Sequence, residues 1–213
     1  MSPPRIAPLR LDGLRDVDEA VFEAGETYDG ERYRRPALDG LDLSGADFID
    51  CELNGASLNE AQLRGVRFRH CRLADSFAPV LSAVRSTWRE VEVTSPRWGS
   101  AELHDATFAS VRIDGGKLDY LNLRAAKITD LVITGCIINE LDLSGAAATR
   151  VSLQDCTIGT LDVRAAKLKD VDLRTSSLRT LNGIGSLAGA VIDDDQLALM
   201  APLFAAQLGI TVL

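Results

Sequence analysis

Residues 41–75 read LDLSG ADFID CELNG ASLNE AQLRG VRFRH CRLAD when the sequence is divided into blocks of five. The same division continues to Gly185 without an insertion or deletion, which makes 29 blocks. The third residue of each block, here called the central position, is large and apolar in 25 blocks, and the first, the small position, is never charged. Helices have a period of 3.6 and strands a period of 2, so a period of five predicts a chain that turns a corner in every block.

A second period of twenty residues is superimposed on the first. Every fourth central position holds Phe48, Phe68, Trp88 and then Phe108, and larger and smaller residues alternate between neighbouring sets of small positions. Residues twenty apart therefore share an environment, which predicts a solenoid with four blocks per coil and adjacent coils ~4.8 Å apart. About seven coils would make a rod roughly 35 Å long.

The blocks ADFID, ASLNE, LDLSG and LDVRA follow the pattern A-(D/N)-L-x-x. This pattern resembles the pentapeptide-repeat proteins, and the resemblance covers all 29 blocks. It implies an all-β fold, namely a right-handed quadrilateral parallel β-helix, which we expect to end in a short C-terminal capping helix. Fold is the main content of this resemblance, because the family is large and functionally diverse.

The sequence divides into three parts. Residues 1–40 form a leader and an irregular first coil, with Tyr28, Tyr33 and Leu38 already in frame, and we expect the segment around Val21–Glu23 to cover the open end. Residues 41–185 form the β-helix. Residues 186–213 form a capping or dimerisation helix and an apolar tail.

The blocks from Ser76 to Ser100 keep the frame but lose the consensus. Ala78 and Ala83 underfill the central positions, whereas Trp88 and Trp98 overfill them. We favour local repacking, in which each tryptophan compensates for a small neighbour. A bend or a specialised surface patch is the alternative.

The composition indicates the class of partner. The net charge is −8, which argues against direct binding of nucleic acid, since phosphate recognition needs a basic face. Residues 64–97 are the exception, with seven basic and three acidic side chains. The start of the sequence has no apolar run of signal-peptide length, and no stretch reaches the roughly 20 apolar residues of a membrane span. We therefore expect a soluble cytoplasmic protein that does not bind membranes.

The cysteines and histidines do not suggest a metal or cofactor. Cys51 and Cys71 are twenty residues apart, as are Cys136 and Cys156, and all four occupy small positions. Thiols at such sites are compact apolar fillers, and the coil spacing exceeds the Cβ separation of about 3.8 Å that a disulfide prefers. The two histidines lie at outward positions, so we expect neither a metal site nor a cofactor.

The sequence also lacks a recognisable catalytic constellation, and a quadrilateral rod has no obvious concave pocket, so we expect a protein that is not an enzyme.

Charged side chains are arranged in two outward columns. Glu52, Arg72, Glu92 and Arg112 alternate in sign, which predicts ion pairs between coils. The fifth positions of another set of blocks place an acid on every second coil; we call these four residues, Asp50, Glu90, Asp130 and Asp170, the acidic corner. It is a candidate partner-binding edge, and a merely solvated corner is the alternative.

The C-terminal segment predicts a helix that begins at Asp193–Asp195, is kinked near Ala201 by Pro202 and stops at Gly209. Its apolar residues exceed what one narrow coil needs for a cap. The resemblance implies a homodimer through this helix. The residues expected at the dimer interface are Leu203, Phe204, Leu208 and Val212.

Two functions are consistent with these features. In the first, which the resemblance to quinolone-resistance and topoisomerase-toxin-immunity proteins of the family implies, the rod is a DNA mimic that binds a type II topoisomerase, DNA gyrase, and protects or modulates it. In the second, the solenoid is a scaffold for protein–protein interaction with another partner and has no topoisomerase role.

Overall fold

A computed structural model describes residues 1–211 of the chain. Within them are short β-strands, a single turn of 3-10 helix at Ile184–Ser186 and one α-helix. The strands are β1 (Arg15–Val17), β2 (Thr27–Asp29), β3 (Glu31–Arg34), β4 (Asp47–Ile49), β5 (Glu52–Asn54), β6 (Arg67–Ala74), β7 (Phe77–Ser82), β8 (Thr87–Thr94), β9 (Arg97–Glu102), β10 (Thr107–Asp114), β11 (Lys117–Asn122), β12 (Lys127–Thr134), β13 (Ile137–Asp142), β14 (Ala147–Gln154), β15 (Thr157–Asp162), β16 (Lys167–Asp172), β17 (Ser177–Asn182) and β18 (Ala190–Val191). The helix, α1, spans Asp194–Gln207.

The strands stack in parallel and form the walls of a solenoid. One sheet has twelve strands and the other has six, and neighbouring strands belong to successive coils. Residues twenty apart are paired, as in Phe68 with Trp88 and Phe108 with Ile128. The parallel β-solenoid predicted from the repeat is thereby confirmed.

The solenoid has about nine turns, and the prediction of about seven was too low. The leader already coils in register, because Tyr28 pairs with Phe48 and Tyr33 pairs with Leu53. At the other end Val171 pairs with Ala190, so this coil is one residue short of twenty. Both end coils lack the consensus, so the 29 blocks that follow it do not include them.

The corners of the coil lie at the fifth position of the block. Within residues 1–211, seventeen non-glycine residues have positive φ, and all of them occupy fifth positions, for example Asp50 (φ 50°) and Asp75 (φ 52°). This left-handed conformation costs an L-residue about 1–2 kcal/mol. Its benefit is a turned chain whose amide reaches the next coil: Asp50 N donates to Arg69 O at 3.0 Å, and Asp75 N donates to Thr94 O at 2.9 Å.

The core is a narrow shaft filled by the small and central positions. Leu123, a central residue of a middle coil, has 2% of its surface exposed. Tyr28, Phe48, Phe68 and Trp88 stack along the shaft with successive ring centroids 4.8, 5.1 and 4.6 Å apart. The assignment of inward and outward positions from the sequence is confirmed in this region.

The irregular blocks between Ser76 and Ser100 are repacked around two buried indoles. Trp98 lies on Ala78 of the preceding coil, which leaves room for the larger ring. The indole nitrogen of Trp88 donates to Ser86 Oγ at 2.8 Å, and that of Trp98 donates to Ser76 Oγ at 3.1 Å. Compensation by a small neighbour is therefore confirmed for Trp98, whereas Trp88 pairs in register with Phe68 and Phe108. Serine at two small positions supplies the acceptors that a buried indole needs.

The four cysteines are buried and carry free thiols. The Sγ of Cys71 contacts the carbonyl oxygen of Phe48 at 3.3 Å, and the Sγ of Cys156 contacts that of Ile133 at 3.5 Å. Their interpretation as fillers of the shaft is confirmed.

Each end of the shaft is closed by a nonrepetitive segment. At the first coil, Phe22 packs against Tyr28 and Tyr33 with ring centroids 5.1 and 5.0 Å away. At the last coil, the buried side chain of Gln196 donates to the carbonyl oxygens of Leu173 at 2.6 Å and Ser176 at 2.7 Å. The amide of Gln196 thus binds main-chain acceptors that no further coil covers.

Helix α1 begins as predicted but is not interrupted. Asp193 is the N-cap residue, and with Gln196 it forms a capping box. The sequence predicts a kink near Ala201, and the helix continues without a break through Pro202 to Gln207. Gly209 has φ 71°, as expected for a residue that follows a helix end.

Candidate functional site

Many acidic residues of the consensus have a structural task in the turn. At second positions, the carboxylates of Asp42, Asp142 and Asp162 accept a hydrogen bond from the amide two residues later, at 2.9, 2.8 and 3.0 Å. Such Asx-type bonds stabilise the turn locally. Asp142 and Asp162 are also buried, so these two carboxylates are not free to contact a partner, whereas Asp42 is exposed.

The acidic corner lies where the sequence predicts it, along one edge of the rod. Asp50, Glu90, Asp130 and Asp170 all occupy left-handed fifth positions with φ between 50° and 58°. The four residues lie on every second coil, so successive residues of the corner are roughly 10 Å apart. The corner is therefore a straight column, but its four carboxylates differ in what surrounds them.

Asp130 is the most enclosed of the four. Only 8% of the residue is exposed, and its carboxylate accepts bonds from Arg150 Nε at 2.6 Å and Arg150 Nη2 at 2.7 Å. This charge-assisted pair holds the pKa of Asp130 below its usual value, against the opposing effect of burial. The negative charge of Asp130 is therefore neutralised by Arg150.

The other three carboxylates have weaker contacts. Asp50 contacts the Nδ1 of His70, and Glu90 lies 3.6 Å from Arg89. About half of the Asp50 and Glu90 side chains is exposed, at 49% and 52%. Asp170 lies 3.9 Å from the α-amino group of Met1. The exposed negative charge of the corner is thus concentrated toward its N-terminal half.

Residues 1–14, here called the N-terminal strap, run along the acidic corner. The strap starts beside Asp170 and descends past Asp130, where Arg5 N donates to Oδ1 at 2.8 Å. Farther along, Leu9 N donates to Glu92 Oε1 at 3.2 Å. The sequence predicted a leader here but did not place it on this surface, since nothing in its composition encodes that contact.

The ion-pair ladder beside the corner is partly as predicted. Arg72 pairs with Glu92 at 3.0 Å, and Glu52 pairs with Arg32 of the first coil at 3.2 Å. Arg112 pairs within its own coil, with Asp114 at 3.6 Å. Ion pairs between coils therefore join Arg32 to Glu52 and Arg72 to Glu92, whereas Arg112 does not continue the ladder.

Helix α1 exposes a set of leucines. Leu203 is 41% exposed and Leu208 74% exposed, whereas Phe204 packs partly against the core. Leu199, which the sequence did not single out, is 72% exposed. Val212, the fourth residue expected at a dimer interface, lies outside the described residues.

An open groove of about 700 Å³ lies on another face, lined by β7, β9, β11 and β13. Its rim carries exposed Phe77 and Ile137, and Arg97 and Lys117 lie between them in the same column. Large apolar residues at second positions were the available signal for this patch. The sequence pointed to segment 76–100 only through its lost consensus.

Among residues 1–211, no group of three or more His, Cys, Asp or Glu side chains is arranged to hold a metal ion. No helix in the same part of the chain is long and apolar enough to cross a bilayer.

Comparison with known proteins places the repeat in a family. Residues 38–76 match the family described as pentapeptide repeats, in eight copies. No curated protein matches the chain at a significant level.

Two solved structures illustrate the range of similar folds. QnrB1, a plasmid-mediated fluoroquinolone resistance protein, is 21% identical over 89% of this chain and 94% of its own, with a TM-score of 0.34. HetL from Nostoc sp. strain PCC 7120, a pentapeptide-repeat protein involved in heterocyst differentiation regulation, is 18% identical over 80% of this chain and 91% of its own, with a TM-score of 0.32. At these values neither similarity bears on what the chain binds. Residues 38–76 match pentapeptide repeats, and because the same coil geometry extends from Tyr28 to Leu181, the chain has the pentapeptide-repeat fold.

Proposed function

We propose that this chain is a non-enzymatic scaffold that binds another protein through the outward side chains of its solenoid. One observation carries the proposal: every regular coil commits its small and central positions to the shaft and leaves three of five residues on a straight outer face. Flat, repeated faces of this kind are suited to extended protein contacts.

Within this class we propose DNA gyrase as the partner, with the rod acting as a mimic of DNA that protects or modulates the enzyme. The support is the net charge of −8 together with the acidic corner, whose carboxylates follow one another along a straight edge. A column of negative charge is complementary to a basic DNA-binding surface and steers association with it. The resemblance to gyrase-directed members of the family led to this choice of enzyme.

The four carboxylates of the corner differ in their ion pairs and exposure, and these differences support one part of the corner as the contact with gyrase. Asp130 is neutralised by Arg150, and Asp170 faces the terminal amine of the strap. Asp50 and Glu90 keep about half of their side chains in solvent. We therefore assign the initial contact with gyrase to the N-terminal half of the acidic corner.

We also propose that two copies associate through α1. The exposed leucines Leu199, Leu203 and Leu208 lie on a single short helix, and burying them removes apolar surface from water. Dimerisation through the C-terminal end joins two rods and doubles the length of the charged edge.

The test uses purified gyrase and three forms of the full chain: wild type, Asp50→Lys/Glu90→Lys, and the control Asp75→Lys/Asp155→Lys. The control changes the net charge by the same amount at exposed residues of another corner. We expect wild type and control to bind gyrase and to inhibit supercoiling alike, whereas the corner variant binds roughly tenfold more weakly, with less dependence on salt. A wild type that does not bind gyrase refutes the gyrase assignment, and equal binding by all three forms refutes the corner as its surface.

A further inference from the structure

Main-chain groups of the N-terminal strap make polar contacts with the rod. Arg5 N and Leu9 N donate to Asp130 and Glu92, at 2.8 and 3.2 Å. In return, the carbonyl oxygen of Arg5 accepts from Ser110 Oγ at 3.2 Å, and that of Leu9 lies 3.5 Å from Arg72 Nη2. The main chain of the strap is therefore held by hydrogen-bond donors and acceptors on side chains of the rod.

Burial along the strap has the spacing of a docked segment. Pro4, Ile6, Leu9, Leu11 and Leu14 are half-buried, whereas the intervening residues are exposed. On the rod, Val132 occupies an outward position close to Asp130, yet only 6% of it is exposed. From the burial of both surfaces we infer that apolar packing accompanies the polar contacts.

Charge is complementary between the two surfaces. The strap carries Arg5, Arg10 and the terminal amine against a single acid, Asp12. It lies on a corner that carries an acid on every second coil, and the amine and Arg5 N contact two of these acids directly. In the isolated chain, the part of the corner that holds Asp130 and Asp170 is occupied by a positively charged segment of the protein itself.

We propose that the strap is an intramolecular competitor for the part of the acidic corner that holds Asp130 and Asp170. A basic surface of a partner protein that first meets Asp50 and Glu90 extends over this part only after the strap has been displaced. This inference rests on the proposed function, because it takes the corner as the surface that the partner needs. A partner that binds only the strap-free state has its apparent affinity reduced by the fraction of molecules in that state. With the strap docked in nine molecules of ten, release of the strap strengthens binding about tenfold.

Two matched variants of the full chain distinguish the effect of releasing the strap from the effect of adding two negative charges to it. Ile6→Asp/Leu9→Asp places two carboxylates at half-buried positions that face the acidic corner, which releases the strap. Ala7→Asp/Pro8→Asp adds the same charge at the exposed positions between them and leaves the strap docked. Neither variant alters a residue of the rod.

The first measurement concerns the strap alone and does not need gyrase. Hydrogen exchange of the amides of Arg5 and Leu9 is followed by NMR in the wild type and both variants. We expect protection in the wild type and in Ala7→Asp/Pro8→Asp, and loss of protection in Ile6→Asp/Leu9→Asp. Unprotected amides in the wild type overturn the proposal.

The second measurement is the Kd of each form for purified gyrase. We expect Ile6→Asp/Leu9→Asp to bind about tenfold more tightly than the wild type, and Ala7→Asp/Pro8→Asp to match the wild type. If gyrase binds the wild type and the released form equally, the strap does not compete for this surface and the inference fails while the proposed function stands. If no form binds gyrase, the gyrase assignment fails and competition for gyrase fails with it, whereas docking of the strap is decided by the exchange data.

Discussion

The guanidinium of Arg150 donates two hydrogen bonds to the carboxylate of Asp130 in the preceding coil, at 2.6 and 2.7 Å. Both residues occupy left-handed corner positions, so the repeat brings them together although they are twenty residues apart. The same carboxylate accepts the amide of Arg5. Asp130 thus joins two coils and the N-terminal strap at one point.

This junction predicts a pH-dependent contribution to stability. Because the pKa of Asp130 is lower in the folded chain than in the unfolded one, its contribution is present above about pH 4 and is lost as the pH falls through the folded value. Asp130→Asn should lower the free energy of unfolding by about 1–3 kcal/mol at pH 7 and by much less near pH 2–3. Asparagine retains an acceptor for Arg5 N, so the difference reports mainly on the pair with Arg150.

The measurement is urea unfolding of wild type and variant at both pH values. Asp155→Asn, at an exposed corner, is the control and should change little at either pH. A stability difference that is the same at pH 7 and in acid would contradict the assigned role of the charge.

The frame of the repeat is tested at Leu123. Leu123→Asp places an unpaired carboxylate in the shaft, which costs several kcal/mol against a total stability of about 5–15 kcal/mol, so this variant should fail to fold. Arg124→Ala, one residue later and outward, should be folded, with at most about 1 kcal/mol lost with its ion pair to Asp142. Circular dichroism and thermal melting decide the matter, and a cooperatively melting Leu123→Asp variant would show that the frame is wrong.

The pairing of Trp88 with Ser86 is open to a double-mutant cycle. Ser86→Ala leaves a buried indole N–H without its acceptor and should cost about 1–3 kcal/mol. In a Trp88→Phe background the same serine substitution should cost about 1 kcal/mol less, because the donor is gone. Equal costs in the two backgrounds, measured by chemical denaturation, would exclude a contribution from this hydrogen bond.

The homodimer is tested at two kinds of residue on α1. Leu199→Glu/Leu208→Glu alters exposed side chains and should convert a dimer to a monomer without changing the melting temperature much. Phe204→Glu should instead lower the melting temperature, because this ring packs partly against the core. Light scattering gives the masses. A wild type that is already monomeric at micromolar concentration would rule out the proposed dimer.

The five-residue period is sufficient to predict the coil and the direction of each side chain within it. Leu123 is inward, Arg124 is outward and the corner falls at residue 125, because every block repeats the same local conformation and stacks on an equivalent block. Position within the block therefore suffices to place Asp50, Glu90, Asp130 and Asp170 on one edge. The repeat also explains why the cysteines are buried and free.

The contacts made where the repeat ends could not be predicted from the period, because they depend on the folded rod. The bond between Arg5 and Asp130 joins residues 125 positions apart, and Gln196 binds carbonyl groups of a coil that its own segment does not continue. No periodic pattern encodes such contacts, because each depends on the shape, charge and unpaired backbone groups that the finished solenoid presents. The extra end coils and the course of α1 through Pro202 were decided in the same way, by packing against a rod that the repeat had already built.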